Sequence, residues 1–301
     1  MPFKAAMSNT RNALIYMHLS VILWGITGVL GRSIQLSEGL LVGYRLLITA
    51  TTLGIHAFLI KKLILPEVKE IGKMILIGFL ITIHWLFFYG AIKYSNVSIT
   101  LSMLASQALF TTFFEWIIIR KPISIRELSF GLLAMLGIWV IFYSEKLFGV
   151  GIFLALMASL IGSLFNVFNK PLVERHDPVM VSFVEIAAGV LLLVFFLPFY
   201  INFFHVEYLI PTSSDWIMLF VLAFFCTHIT LILSLKALKY LDAFTLNLSI
   251  NLEPVYGIAL AFFIFHEHKF LSSRFFVGAA LILLSVVLHA YFKSKKETAA
   301  K

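Results

Sequence analysis

Ten long apolar stretches, separated by short polar connections, follow one another along the chain. A helix needs about 20 apolar residues to cross a bilayer, and each stretch comes close to that length. No connection has room for a soluble domain, so we expect one all-α integral membrane bundle of ten transmembrane helices. The predicted spans are Ala13–Leu30, Leu40–Ile60, Ile71–Ile92, Val97–Ile119, Ile125–Tyr143, Phe148–Phe168, Pro178–Ile201, Trp216–Leu235, Ala243–Phe265 and Leu271–Phe292.

The ninth stretch differs from the others because polar residues lie near its middle. Asn247, Asn251 and Glu253 stand among apolar residues, and Pro254 follows the carboxylate. Proline interrupts the hydrogen bonds of a helix. A charge at membrane depth is costly unless it faces protein or a wet cavity. We therefore expect this segment to be the functional helix, with a kink at Pro254.

Composition supports a membrane protein and excludes other classes. Of the 301 residues, 61% are hydrophobic and 13% charged, which leaves too little polar surface for a soluble globule. The net charge of +8 comes from basic residues in the loops between apolar runs, so we expect no nucleic-acid partner. Cys226 is the single cysteine, which excludes an internal disulfide and a multi-thiolate metal site. We expect no cofactor and no metal.

The distribution of basic residues predicts the orientation. Most lysines and arginines fall in the connections that lie on the same side as both ends of the chain. By the positive-inside rule, residues 1–12 and 293–301 are then cytoplasmic. The first apolar run has no small-residue cleavage site before or after it, so we interpret it as a retained helix.

The two halves of the chain resemble each other. The segment Gly90–Phe110 aligns with Lys236–Tyr256, which pairs Lys93 with Lys239 at an offset of 146 residues. The same offset places Gln107 opposite Glu253. Residues 13–143 and 148–292 are therefore predicted to be two five-helix repeats. Because five is odd, the second repeat enters the membrane from the opposite side, as in transporters with inverted repeats.

Several short motifs occur in a familiar order: Trp24-Gly25, Arg45, Ala91-Ile92-Lys93-Tyr94, Glu253-Pro254 and His266-Glu267. With the five-plus-five repeat, they resemble the drug/metabolite transporter superfamily, specifically its EamA-type family. The resemblance implies a carrier of the cell inner (cytoplasmic) membrane whose relatives export amino acids and other small metabolites, with a cavity lined by helices 1, 3, 4, 6, 8 and 9. The first repeat departs from the family pattern, since it has Gln107-Ala108 and Arg120-Lys121 where relatives often have a proline and a Gly-Glu.

Two charged residues are the strongest candidates for contact with a substrate. Glu253 could bind a substrate ammonium or a proton, or its carboxyl could bond to a backbone carbonyl freed by Pro254. Arg45 could clamp a substrate carboxylate with two parallel hydrogen bonds, or it could be the structural partner of Glu185 in the seventh helix. Asn247 and Asn251 extend the polar side of the ninth helix only loosely. Gln107, as the counterpart of Glu253, joins the candidate set.

Histidines and aromatic residues form a second group of candidates. His84 and His228 lie near equivalent positions of the two repeats, and a proton relay with Glu253 is one hypothesis, hydrogen-bonded core histidines the other. Trp24, Trp85 and their aromatic neighbours could form a wall for a flat substrate, or they could simply pack against lipid and protein.

We therefore predict a secondary transporter that exports a small organic, amino-acid-like metabolite by alternating access. Its expected partners are this metabolite and the lipid bilayer, and coupling to protons is a hypothesis. Alternatives are an uncoupled facilitator, an intramembrane enzyme that uses Glu185, His84, His228 and Glu253, and a scaffold without transport. We expect no enzyme, because no diagnostic spacing is present. The triplet His266-Glu267-His268 lacks the metalloprotease spacing, and no phosphate-binding loop occurs.

Overall fold

The computed structural model describes residues 2–61, 66–123, 125–241, 243–250 and 252–299. These residues form thirteen α-helices and no strand. Two short 3₁₀ turns, Lys146–Phe148 and Glu267–Lys269, and a π-helical segment, Val221–Ile229, complete the described elements. The α-helices are α1 (Pro2–Ser33), α2 (Glu38–Leu59), α3 (Val68–Tyr94), α4 (Val97–Leu104), α5 (Gln107–Ile118), α6 (Ile125–Ser144), α7 (Gly149–Arg175), α8 (Pro178–Phe204), α9 (Ser213–Phe220), α10 (Thr230–Leu238), α11 (Ala243–Ile250), α12 (Glu253–Phe265) and α13 (Ser273–Ala299).

The described helices make ten apolar units. Seven are long and apolar enough to cross a membrane: α1, α2, α3, α7, α8, the α4–α5 unit and the α9–α10 unit with its π-helical centre. Three shorter apolar helices lie in α6, α12 and α13. Each unit coincides with one of the ten predicted spans. The chain is an all-helical, multi-pass membrane protein.

The fourth and ninth spans are both broken at equivalent positions. α4 ends at Leu104 and α5 begins at Gln107, while α11 ends at Ile250 and α12 begins at Glu253. Both boundaries repeat at an offset of 146 residues. In the ninth span Pro254 removes a hydrogen bond from the ladder. In the fourth span the Ser106 hydroxyl donates to the Met103 carbonyl at 2.7 Å, which competes with the ladder without a proline.

Contacts between the two halves follow a symmetric pattern. α1 packs on α10 and α12, and its counterpart α7 packs on α3, α4 and α5. α2 packs on α8, α6 packs on α13, and the fourth span meets the ninth through α4 on α12 and α5 on α11, so each of these spans meets its own counterpart. Exchange of the halves therefore maps these pairs onto one another.

The α6–α13 pair crosses closely at two glycines. A Cβ on Gly137 would lie 2.6 Å from the Gly278 carbonyl oxygen, and a Cβ on Gly278 would lie 2.6 Å from the Gly137 carbonyl oxygen. Only glycine permits this reciprocal approach of two backbones. The two helices of this pair pack mainly against each other at the side of the bundle. They contribute none of the described residues that line the site presented next.

Candidate functional site

A cavity with about 770 Å³ of empty space, including its mouth, lies where the two broken helices meet. Its walls come from both halves of the chain. The lining residues are Trp24, Thr27, Arg45, Ile81, His84, Trp85, Phe88, Leu104, Gln107, Phe165, Asn166, Asn169, Thr227, Thr230, Leu231, Ser234, Leu235, Ile250 and Glu253. They belong to the six spans expected to line it, numbers 1, 3, 4, 6, 8 and 9, with Arg45 added from the second.

Arg45 is held in one orientation by three neighbours. Its Nε donates to the Thr227 hydroxyl at 2.8 Å, and its Nη1 donates to the Tyr89 hydroxyl at 2.7 Å. The guanidinium carbon lies 3.7 Å from the centre of the Trp85 ring, a cation–π contact. These contacts leave guanidinium N–H groups free to bind an anionic group in the cavity. Within the described part of the chain, no carboxylate forms an ion pair with Arg45.

The π-helical segment supports this arrangement. Thr227 lies in it and donates its own hydroxyl hydrogen to the Leu222 carbonyl at 2.6 Å. The hydroxyl oxygen is therefore an acceptor for Arg45. Local π-helical turns widen a helix and are frequent at functional sites.

Glu253 is the first residue of α12 and is 5% exposed. Helix N-termini carry free N–H groups and a partial positive charge, which favours a carboxylate at this position. Among the described residues its carboxyl has no hydrogen-bond or ion-pair partner. Arg45 and Glu253 thus border one cavity without pairing with each other.

Gln107 takes the equivalent place at the start of α5. It is 3% exposed, and its Oε1 has no partner among the described residues. Its amide nitrogen packs against Gly162 of α7, where a side chain would collide with it. The cavity therefore contains a buried acceptor oxygen that can receive a hydrogen bond from a ligand.

His84 and four aromatic side chains cover the remaining wall. His84 Nδ1 donates to the Ala158 carbonyl at 2.7 Å, so its Nε2 is the acceptor in the neutral ring. The His84 ring stacks on Phe88 and meets Phe165 edge to face. With Trp24 and Trp85 they form an aromatic surface.

Not every predicted residue reaches the cavity. His228 turns toward α2, where its Nε2 lies 2.9 Å from His56 Nδ1 and its Nδ1 lies 3.0 Å from the Thr52 hydroxyl. A relay from His84 through His228 to Glu253 is thus not assembled in this structure. Asn251 lies outside the described residues, and so does the side chain of Asn247, whose backbone belongs to α11.

The suggested Arg45–Glu185 partnership was wrong. Glu185 bonds to Asn169 Nδ2 at 3.5 Å, while Arg45 bonds to Thr227 and Tyr89. The four residues of the enzyme hypothesis are also apart, since His228 and Glu185 do not line the cavity. No group of three His, Cys, Asp or Glu side chains in the described ranges could hold a metal.

Sequence reasoning missed two amides of α7. Asn166 and Asn169 both line the cavity and lie three residues apart, which places them on one face of the helix. A polar pair at that spacing in an otherwise apolar run is a detectable signal.

Glu267 closes the bundle at the face where α1 ends, here called the far face; the near face is the one with both termini. Glu267 is buried there, at 2% exposed. It pairs with Arg32 and accepts hydrogen bonds from the Val97 and Ser98 amides at 3.1 and 2.9 Å. It also accepts one from the Ser98 hydroxyl. One carboxylate thus joins spans 1, 4 and 9.

Comparisons with known proteins agree with this architecture. An uncharacterized transporter of Clostridium kluyveri is 22% identical over 251 residues, which cover 79% of this chain and 77% of the relative. The uncharacterized transporter YxxF of Bacillus subtilis is 21% identical over 257 residues, covering 82% and 80%. A solved crystal structure, described only as that of a protein, is similar in fold with a TM-score of 0.65. It is 18% identical, and the match covers 91% of this chain and 95% of the other.

The family comparison covers nearly the whole chain. The sequence model of the EamA-like transporter family matches residues 11–143 and again residues 149–291. Ten apolar units, two matched halves and a polar cavity between them fit that description. The chain belongs to the EamA-like transporter family.

Proposed function

We propose that this protein is a secondary transporter that exports a small zwitterionic, amino-acid-like metabolite through the cavity by alternating access. The observation that carries the proposal is that two side chains of opposite charge type, Arg45 and Glu253, border one cavity without forming an ion pair with each other in the described structure. A zwitterion offers a carboxylate to the first and an ammonium to the second.

The shape and chemistry of the cavity support a ligand of this class. Its walls combine apolar and aromatic side chains with a few polar groups, which is the usual lining of a small-molecule site. The unpartnered Oε1 of Gln107 supplies a further acceptor for an ammonium. The aromatic surface of Trp24, Phe88 and Phe165 favours a substrate with an apolar side chain.

An inverted relation between the two halves is part of the proposal. Three observations support it: the shared offset of the helix breaks, the symmetric helix pairs, and the odd number of spans in each half. Rocking of the halves about the cavity would then open the two faces in turn.

The position of the cavity supports export. Its lining reaches Leu235, about one turn from the near-face end of α10, whereas at the far face it stops at Thr27 and Phe88, about two turns from the helix ends. The ties made by Glu267 close the far face. If both termini are cytoplasmic, as the basic residues predict, and the protein lies in a cell inner membrane, as the family resemblance implies, this state receives substrate from the cytoplasm.

Efflux from proteoliposomes loaded with a panel of radiolabelled amino acids tests the function. We expect one chemical class to leave faster than it leaves loaded liposomes that contain no protein. Glu253→Gln should slow this efflux by at least about tenfold, because it loses one charged hydrogen bond to the substrate. Glu145→Gln is the matched control, because Glu145 is a buried carboxyl outside the cavity that accepts from the Ser272 amide at 3.1 Å.

Two results would count against the proposal. Equal efflux rates for wild type and Glu253→Gln would show that Glu253 does not bind the substrate. An absence of efflux for every compound would rule out an amino-acid-like substrate. Efflux that persists when the pH gradient is collapsed, yet needs Glu253, would identify an uncoupled facilitator instead of a coupled exporter.

A further inference from the structure

Glu185 is a carboxyl buried inside the membrane that the transport site does not use. It lies in α8, seven residues after Pro178, and is 1% exposed. The neighbouring helix α3 approaches so closely at Gly78 that a Cβ there would collide with the Glu185 backbone carbonyl. Neither lipid nor bulk water reaches this side chain. Intramembrane carboxyls of this kind are costly and are usually functional.

Asn169 of α7 is the one hydrogen-bond partner that Glu185 has among the described residues. Asn169 Nδ2 donates to Glu185 Oε2 at 3.5 Å, and Asn169 is itself 1% exposed. Two atoms of the pair, Glu185 Oε1 and Asn169 Oδ1, have no hydrogen-bond partner in the part of the chain that the structure describes. Both are buried oxygens. When the carboxyl of Glu185 is ionised, both can only accept hydrogen bonds.

Charged groups on the helices packed against α8 do not compensate Glu185. These helices are α2, α3, α7 and α10, and in the described structure the polar atoms of their inner charged or titratable groups are directed elsewhere. Arg45 bonds to Thr227 and Tyr89, and His56 bonds to His228. His84 bonds to the Ala158 carbonyl, and Lys170 bonds to the Leu238 carbonyl. Glu70 pairs with Lys73 and His176, and Lys236 is exposed.

A single proton resolves both unpartnered oxygens. If Glu185 Oε1 carries it, the acid O–H can donate to Asn169 Oδ1 while Asn169 Nδ2 donates to Glu185 Oε2. The result is an acid–amide pair with two parallel hydrogen bonds. An ionised Glu185 can accept from the amide N–H groups but offers no donor to the amide oxygen.

We propose that Glu185 and Asn169 form the proton-binding site of this transporter, with Asn169 as the link to the substrate cavity. The inference rests on the proposed transport function and adds its coupling ion. Asn169 is suited to the role because it lines the cavity, whereas Glu185 lies behind it.

The link makes proton and substrate binding antagonistic. With Glu185 protonated, the Asn169 carbonyl accepts the acid proton and is withheld from the cavity. When the proton leaves, the Asn169 N–H groups serve the carboxylate and its carbonyl becomes available to a substrate ammonium. Release of one proton therefore accompanies substrate binding, which is the scheme of an antiporter that exports substrate while protons enter.

Infrared difference spectroscopy of the purified protein in lipid tests proton exchange without any substrate. We expect a carboxylic-acid C=O band that disappears as the pH is raised between about 5 and 9, a range that buried carboxyls can reach. The band should be missing in Glu185→Gln and present in Glu145→Gln. A Glu185-dependent band that stays constant over this range would overturn the proposal, since the acid would then be permanently protonated.

Transport of Glu185→Gln supplies the second arm. Glutamine can make the same two hydrogen bonds to Asn169 but cannot release a proton, so folding should be retained, as checked by size-exclusion elution and Tm. We expect accumulation driven by a pH gradient to fall at least about tenfold, while substrate exchange at equal pH stays within about threefold of wild type. Gradient-driven transport at the wild-type rate would overturn the coupling role.

The two arms separate failure of this inference from failure of the proposed function. If wild type transports no amino acid, the transport proposal fails while the infrared band still decides whether Glu185 exchanges a proton. If wild type transports and the band is absent, the proton site alone fails.

Discussion

Glu267→Gln should open the far face of the transporter. The Glu267 carboxylate accepts from two amides at the start of α4 and from the Ser98 hydroxyl, and it pairs with Arg32 of α1. The charge at the N-terminus of α4 is favourable, and the contacts bridge three spans. The proposed alternating access requires these spans to separate at the far face, so under that proposal the bridge breaks in each cycle.

The size of the effect follows from these contacts. A hydrogen bond to a charged group contributes about 1.5–3 kcal/mol net. Glutamine keeps one acceptor oxygen but loses the charge and turns an N–H group toward other donors. The Arg32 pair adds little, because the Arg32 side chain is 38% exposed. We therefore expect a loss of about 2–3 kcal/mol from the closed far face, which is roughly a 30- to 150-fold shift toward the open state.

Thiol labelling can measure this shift. Leu101 of α4 is fully buried, and its side chain fills the space that a Cβ on Gly257 of α12 would need, so we expect it to become accessible only when the far face opens. Leu101→Cys in a Cys226→Ala background provides a single thiol. The rate of labelling by a membrane-impermeant reagent, added at the far face, should rise with Glu267→Gln by roughly the factor calculated above.

Glu145→Gln is the control for this assay as well. Its carboxyl lies at the same face but joins α6 to α13, which do not line the cavity. It should leave Leu101→Cys labelling unchanged. If Glu267→Gln leaves the labelling rate unchanged although the protein is folded, or if both substitutions raise it equally, the gating role of Glu267 is refuted.

Three further substitutions test other parts of the structure. Arg45→Lys keeps the charge but loses the fork that contacts Thr227 and Tyr89, so the KM for export should rise at least about tenfold; an unchanged KM would contradict the clamp. Gly78→Ala drives a methyl group into a backbone carbonyl and should lower the free energy of unfolding by about 1–3 kcal/mol, measured as a lower Tm in a thermal melt. Its control, Gly72→Ala, has open space around it and should leave the Tm unchanged. Thr212→Ala removes the capping box of α9 and should cost about 1 kcal/mol, again read as Tm.

The large features of the fold were accessible from the sequence because they depend on local patterns. Apolar run length predicted each of the ten units, and the offset of 146 residues predicted that Gln107 and Glu253 are counterparts. The break before Gln107 was not predicted, because it depends on the Ser106 hydroxyl and not on a proline.

Side-chain partners were harder to predict because they depend on helix rotation and depth. The relay hypothesis required His228 near Glu253, and the alternative was a hydrogen-bonded core histidine. His228 lies in a π-helical segment that has no equivalent in α3, so the repeat offset does not predict its direction, and it bonds to His56 and Thr52. Arg45 and Glu185 are seven residues into helices that enter from opposite faces, which places them at different depths. The sequence showed that Arg45 and Glu185 carry opposite charges, but it did not show that each of them bonds to a neutral side chain.

The most direct test of the transport site is a comparison of ligands that carry one charge or both. Binding of an exported amino acid, its methyl ester and its N-acetyl derivative would be measured for wild type, Arg45→Gln and Glu253→Gln in detergent. We predict that wild type prefers the zwitterion, that Arg45→Gln no longer distinguishes it from the ester, and that Glu253→Gln no longer distinguishes it from the N-acetyl derivative. Equal losses for all three ligands in both variants would contradict the account, because the two charges would then support the fold and not the substrate.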